Sequence, residues 1–596
     1  MTLRARIGRI LAIFTLLATA VAIAAGNDVS ESPLWVALLS WFVAVAAIIV
    51  VIAAMMSVVR PWAWRLVAAA AALYCLACVT LVVFRLGSPL GLDVDFVLAS
   101  VSDSAKTLVK IIGWPATIVL LAIVAGIVQA YAASLATLAR PLSAMPRFRR
   151  ASLWSLCVLV PGLALLGLPH VHLRAPDRGY GGANIRPTVA ALQPSVFTRG
   201  ESVFLLQLES INGLLASDEY VLRGKPVARD PMPAMRQLAG KGIFFPSFWG
   251  NTVTTHRAQE TILCGAVRNL HDPYFDQLVP WDGDCLPALL SKAGYKTVFL
   301  SSYPDRSFGG TASFMKRAGF TDVRFADELM KRGDLLYHWG YDEAAFYERA
   351  FQYLRQRYSA RDKLFVYIAV CAHHCGFTRD ANDWSFFTAD NEGKIRQYLW
   401  SQEIQDRSLL VFDRLLRDYT GGKAHALYVP DHSFPLGLYG GSAPSTGATV
   451  DNFIIPFLYV PPDDRASEFA VGRTVGEIYA QTDLIPTIAE LLSDRPHPNS
   501  LVPFMKRSLP ARHPYEQCHV MAQPYAGRRL LVVRGTVAYE YHVAMQVLRE
   551  YRILRNPLRQ ELVKEVQGVT YEEFERLYGC SRYQTNVPET VLARSH

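Results

Sequence analysis

Apolar residues are laid out along this chain in two ways. Before residue 172 they form five long runs, roughly Ile7 to Ala25, Leu34 to Met56, Leu66 to Val83, Leu108 to Leu135 and Leu153 to Leu168. A helix crosses a hydrocarbon core with about 20 apolar residues, close to the length of each run. A cleaved signal peptide would explain the first run, which ends in an Ala-rich stretch, but not the four behind it. Residues 1–169 are therefore expected to be a transmembrane anchor of five helices.

From Val203 the runs become short and β-branched and alternate with amphipathic stretches. In order they are SVFLLQLES, a helix near MPAMRQLAGKG, GIFFPSF, KTVFLSS, KLFVYIAV, a long helix from Ile395 to Tyr419, HALYVPDH and FIIPFLYVPP. Such alternation predicts an α/β domain around a largely buried sheet over residues 201–495. The Gly-, Pro- and Arg-rich residues 170–200 read as a juxtamembrane linker. Beyond, over 496–596, RRLLVVRGTVAYEYHV reads as two strands joined at Gly535 and EEFERLYGCSRY as a closing helix, giving a small C-terminal subdomain.

Charge orients this arrangement. Arg4, Arg6 and Arg9, then Arg60 and Arg65, then Arg140, Arg147, Arg149 and Arg150 mark alternate connections as cytoplasmic. The connection GNDVSESP has no positive residue, and the one after the third run carries Asp93, Asp95 and Asp103 against Arg85, Lys106 and Lys110 near its edges. Five spans then leave everything after about residue 170 outside the cytoplasm. The expectation is a multi-pass protein of the bacterial inner (cytoplasmic) membrane with its α/β domain on the periplasmic or extracellular side.

Composition supports it, because 51% hydrophobic residues, 19% charged residues and a mean hydropathy of +0.18 are too apolar for a purely soluble chain of 596 residues. The net charge of +9 suits work against an anionic membrane, although much of it is Arg in the cytoplasmic connections. Cys75, Cys78 and Cys157 fall in the membrane runs, and the other six, Cys264, Cys285, Cys371, Cys375, Cys518 and Cys580, form an even set suited to disulfides in the exported part. Cys264 with Cys285 is the favoured pair.

Several polar groups follow apolar strands. Glu209 follows VFLLQL, Asp431 and His432 follow ALYVP, and Thr255 opens the helical run to Cys264 in NTVTTHRAQETILCG. Ligands gather at the carboxyl ends of strands in open α/β sheets, so these groups can meet in one crevice. Two carboxylates, an imidazole and a hydroxyl make a mixed oxygen and nitrogen set for Mn²⁺, Zn²⁺ or Mg²⁺. A threonine hydroxyl is a poor nucleophile until a base or a metal activates it. Arg257 and His374 are candidates to stabilise phosphoryl charge or protonate a leaving group. Each residue also has a plain structural reading: Glu209 as a helix cap, Asp431 and His432 as a turn, Thr254 or Thr255 as an N-cap. The pair His373 and His374 between Cys371 and Cys375 also has zinc-ligand residue types, but outside the cytoplasm the thiols are expected to be oxidised instead. P-loop, zincin and α/β-hydrolase motifs are absent.

With five spans, LLQLES, TTHRAQETILCG, AHHCGF, YVPDHS, FIIPFLYVPP and TDLIPTIAELL, the chain resembles the membrane-anchored, sulfatase-like phosphotransferases of the alkaline phosphatase superfamily, in the lipoteichoic acid synthase and phosphoglycerol transferase branch. The resemblance implies that Glu209, Thr255, Asp431 and His432 hold one divalent ion, Mn²⁺ foremost with Mg²⁺ or Zn²⁺ as alternatives. It implies that Thr255 is the nucleophile and carries a phosphoglycerol intermediate, and that His374 binds substrate. It further implies a phosphatidylglycerol donor, a glycan or polyglycerol phosphate acceptor, an anionic membrane as partner and no nucleic acid. The chain departs from the lipoteichoic branch by lacking its Trp-x-Arg in SSYPDRSFGG, where Arg306 or Phe308 would substitute. The formylglycine-forming C/S-x-P-x-R segment of sulfatases does not begin at Thr255, which HRAQ follows. The rival readings are a phosphoethanolamine transferase acting on an envelope glycan or lipid, and a non-catalytic lipid-binding membrane sensor.

Overall fold

The computed structural model describes residues 192–580, apart from short interruptions and longer gaps at 268–284, 380–390, 435–449 and 508–517, together with Gln129. The expected five-helix anchor and most of the linker lie outside the described residues. Among the described residues no helix is long and apolar enough to cross a membrane.

The main sheet begins with β1 (Ser202–Leu208). A small antiparallel hairpin, β2 (Val221–Leu222) and β3 (Lys225–Pro226), stands apart from it. The sheet continues with β4 (Ile243–Trp249), β5 (Lys296–Ser301), β6 (Asp322–Phe325), β7 (Leu364–Ala369), β8 (Ala424–Pro430) and β9 (Ile454–Val460). Two short strands, β10 (Arg473–Thr474) and β11 (Tyr479–Ala480), complete nine. Their order is β10-β4-β9-β8-β1-β7-β5-β6, with β11 beside β4. Only β9 runs against its neighbours β4 and β8, and every other pairing in the sheet is parallel. The other eight strands therefore end at one pole.

Central strands are apolar on both faces because helices cover both. On one side Phe204 stacks on Phe351 at 6.0 Å and meets Tyr419 edge-on. These rings belong to the covering helices Glu343–Arg357 and Asn391–Thr420. On the other side Val203 and Leu205 join a core with Phe457, Leu484 and Ile488. The strands expected at SVFLLQLES, GIFFPSF, KTVFLSS, KLFVYIAV, HALYVPDH and FIIPFLYVPP are all present, as is the long helix.

A second, antiparallel sheet follows in simple order: β12 (His519–Gln523), β13 (Arg529–Arg534), β14 (Val537–His542), β15 (Val547–Arg555) and β16 (Leu558–Gln567). The two strands expected around Gly535 are β13 and β14. The closing helix, Tyr571–Tyr578, starts with a capping box between Thr570 and Glu573. The long pair β15 and β16 was not anticipated.

The Cys264–Cys285 disulfide forms as expected, and Cys518 pairs with Cys580. The even count of exported cysteines misleads for Cys371, which is a free thiol. Its Sγ donates to the Trp339 carbonyl at 3.1 Å and lies 3.3 Å from Ser302 Oγ, so local polar partners satisfy it without a second sulfur. Cys375 lies outside the described residues.

Candidate metal centre

Register brings the carboxylates together. In the parallel pair of β1 and β8, Leu208 lies opposite Pro430, so the next residues, Glu209 and Asp431, leave the sheet side by side. The Asp431 amide donates to the Leu208 carbonyl at 2.9 Å and holds that exit closed. His432 follows, with Nε2 3.8 Å from Glu209 Oε1 and 3.6 Å from Asp431 Oδ2. One donor atom from each of Glu209, Asp431 and His432 lies within 4.8 Å of the others. All three residues are buried, and no other such group of His, Cys, Asp and Glu occurs among the described residues.

The electrostatics of this cluster call for a cation. Burial, then the neighbouring charge of Asp431, pushes the Glu209 carboxyl well above its usual range. Glu209 Oε2 is buried with no hydrogen-bond partner among the described residues, while Oε1 accepts from Ser210 Oγ at 2.7 Å. Asp431 Oδ1 accepts from the amides of Ser210 and His432 at 2.9 and 2.7 Å. His432 Nδ1 donates to the Ser433 carbonyl at 2.9 Å, which leaves the Nε2 lone pair facing the carboxylates. An orphaned carboxylate oxygen, a second carboxylate and an imidazole in its metal-ready tautomer fit a divalent ion.

Thr255 opens the helix Thr255–Cys264, which Gly265 closes in the left-handed conformation at φ 69°. Thr254 occupies the N-cap position with extended dihedrals, but its side chain makes no capping bond, and its hydroxyl is buried without a partner among the described residues. The capping reading of this cluster therefore fails for Thr254. The helix docks on the ligand strands through amides: Gln259 Nε2 donates to Gln207 Oε1 at 2.8 Å, and Gln207 Nε2 reaches Asp431 Oδ2 at 3.4 Å. Tyr367 also donates to Gln207 Oε1, at 2.8 Å. Arg257 is buried on the same helix.

His374 emerges just beyond β7 at the same pole, half-buried, with its ring 4.2 Å from that of Trp339. Trp339 in turn stacks on Tyr303 at 6.3 Å. His373 instead points into the core, bonded to Ser401 Oγ at 2.9 Å, and burial holds its imidazole well below the usual range. The expected set thus divides. Glu209, Asp431 and His432 form one group, Thr255 and Arg257 sit on the helix tied to it, and His374 belongs to a neighbouring aromatic wall. Arg306 and Phe308 lie outside the described residues. Gln207, Gln259 and Gln481 were not among the expected site residues, Gln259 being read only as a capping-box partner, and the one available signal was Gln207, a lone polar residue inside an apolar strand.

Residues 203–494 match the sulfatase family model. The chain carries a sulfatase-family domain. Sulfatase-like family members use a divalent metal, and the solved structures similar to this domain include a protein of the alkaline phosphatase superfamily. The domain is similar to a Vibrio parahaemolyticus protein of that superfamily, at 14% identity over 68% of this chain and 90% of that one, with a TM-score of 0.49. It is similar to the lipoteichoic acid synthase LtaP of Listeria monocytogenes, at 15% identity over 70% and 96%, with a TM-score of 0.46. It is also similar to the zinc-bound C-terminal periplasmic domain of Escherichia coli EptC, at 15% over 57% and 94%, with a TM-score of 0.42. At these identities the likenesses say nothing of substrate. No curated protein matches the chain.

Proposed function

We propose that this protein moves sn-glycerol 1-phosphate from phosphatidylglycerol to an extracytoplasmic glycan or polymer through a covalent intermediate on Thr255. The observation that carries the reading is the buried Glu209, Asp431 and His432 group, tied through Gln207 and Gln259 to a helix that begins at Thr255. Glu209, Asp431, His432 and Thr255 would hold one divalent ion, Mn²⁺ foremost, which supplies Lewis acidity toward the phosphoryl group when bound.

In the first step the Thr255 oxygen bonds to phosphorus as the bond from phosphorus to the diacylglycerol oxygen breaks. The one proton released by the Thr255 hydroxyl is balanced by the one that His374 delivers to the leaving oxygen, His374 then taking up a proton again, and diacylglycerol departs. In the second step an acceptor hydroxyl attacks phosphorus, transfers its proton back and frees Thr255. Arg257 balances the phosphoryl charge.

Location is part of the same proposal: a multi-pass protein of the bacterial inner membrane, anchored by the apolar runs before residue 172, with this domain on the periplasmic or extracellular side. Two disulfides in the domain support an oxidising compartment. A lipid donor gives the anchor its purpose, and the anionic membrane is the proposed working surface.

The test is diacylglycerol release from labelled phosphatidylglycerol by wild type and Thr255→Ala. Release that depends on Thr255 supports the reading; unchanged release by the variant removes the covalent mechanism. Release from phosphatidylethanolamine instead would favour phosphoethanolamine transfer, and none from either lipid would favour a sensor.

A further inference from the structure

Asn251 lies in the turn between β4 and the Thr255 helix and is completely buried. Four hydrogen bonds hold it. Its side-chain Nδ2 donates to the Val520 carbonyl at 2.8 Å, and its own carbonyl accepts from the Ala522 amide at 2.9 Å. Both partners belong to β12, an edge strand of the C-terminal sheet. Thr252 and Ala522 extend the contact as a parallel bridge. On its other side Asn251 Oδ1 accepts from the Thr482 amide at 3.1 Å, and its amide donates to Gln481 Oε1 at 3.2 Å. Gln481, also fully buried, then spends its Nε2 on the carbonyls of Pro430 and Asp431 at 2.9 and 2.6 Å.

These contacts make one continuous path. It starts on β12, which the Cys518–Cys580 disulfide anchors to the end of the chain's last described helix. It passes through Asn251, four residues before Thr255, and ends on the backbone of Asp431. We infer that Asn251 is a positioning residue of the metal centre, the joint through which the C-terminal sheet fixes both the Thr254–Thr255 turn and, by way of Gln481, the Asp431 backbone. The C-terminal sheet is then a working part of the site and not an appendage. A buried amide suits this role because it presents a donor and an acceptor in fixed directions, and no isosteric side chain reproduces both. This inference rests on the metal-centre reading but not on the identity of the donor lipid.

The test uses the full chain and two near-isosteric variants. Asn251→Asp keeps the acceptor for Thr482 but turns an acceptor oxygen toward the Val520 carbonyl. Gln481→Glu keeps the acceptor for the Asn251 amide but loses both donor bonds to residues 430 and 431. Amide hydrogen exchange of the metal-free protein is followed in three groups of residues: the 250–256 turn, β12, and the central strands β1 and β7. Mn²⁺ affinity is measured by calorimetry and turnover on a phosphodiester in parallel.

The expected result for Asn251→Asp is faster exchange confined to the turn and β12, with β1 and β7 unchanged. Both variants should weaken Mn²⁺ binding and lower kcat by about 10- to 100-fold, as loss of an outer partner of a metal site does, with KM little changed. Exchange that rises throughout the domain, or Mn²⁺ affinity and exchange both as in wild type, overturns the inference. If Asn251→Asp does not fold, Gln481→Glu decides through Mn²⁺ affinity alone. A wild type inactive on phosphatidylglycerol would count against the proposed donor while leaving the exchange and affinity comparisons intact.

Discussion

The two sheets of this protein are built by opposite rules. In the nine-stranded sheet, β1, β7, β8 and β9 bury almost every residue, so their sequences are apolar runs interrupted inside by Gln207 and His425, and their acids appear only where a strand stops. In the C-terminal sheet β16 is an edge strand with Leu562 and Val563 more than half exposed, and its register with β15 is supported by surface pairs such as Arg549 with Glu565 at 2.7 Å. The first sheet places chemistry at its strand ends. The second contributes through its opposite edge, where β12 grips Asn251. A sheet with one solvated side can therefore still matter to a site, provided the edge facing the site is buried.

Substitutions at the strand ends of the main sheet should have the largest effect. Thr255→Ala, Glu209→Gln and Asp431→Asn are each expected to lower turnover on the order of 10³-fold or more while leaving the fold intact, measured as diacylglycerol release beside near-ultraviolet circular dichroism. A similar loss from an exposed position on β16 would break the contrast between the sheets.

The disulfides sharpen it next. Cys518–Cys580 closes 62 residues and Cys264–Cys285 closes 21. In the chain-entropy account, replacing each pair by serine costs about 4 and about 3 kcal/mol respectively, read from denaturant unfolding. If the C-terminal sheet supports the site, the Cys518 and Cys580 double variant also loses Mn²⁺ affinity.

His425 on β8 supplies a pH test of the buried sheet. Its Nδ1 donates to Tyr459 Oη at 2.8 Å, and Arg465 lies 3.5 Å from its Nε2. Burial, then Arg465 and Arg199, lowers its pKa to about 3. The folded value is depressed, so the unfolded chain takes up the proton first, and stability is lost as pH falls below the ordinary histidine range. Between about pH 7.5 and about pH 5 this one group should cost about 2 kcal/mol. His425→Gln should flatten that part of the thermal-stability profile; an unchanged slope would assign it elsewhere. Leu562→Lys on β16 is expected to change stability by less than about 0.5 kcal/mol.

The same contrast explains what could be read from sequence. Strands buried on both faces announce themselves as apolar runs, and Glu209 and Asp431 stand out because acids end those runs. VLREYRILR and LRQELVKEVQ mix charge with apolar residues so evenly that no face is marked, and their pairing becomes visible only when the cross-strand partners are in place. Asn251, Gln259 and Gln481 escape for another reason. An uncharged amide looks the same in sequence whether it faces water or bridges two buried backbones. The free thiol of Cys371 escapes because counting cysteines says nothing of what lies beside each one.

Mass spectrometry of the peptide containing Thr255, taken from protein mixed with phosphatidylglycerol and Mn²⁺ and quenched in acid during turnover, tests the central claim most directly. The expected result is a single glycerophosphoryl adduct on Thr255, absent from Thr255→Ala. Diacylglycerol formed with the adduct on another side chain, or with no adduct while Thr255→Ala still turns over the lipid, would contradict it.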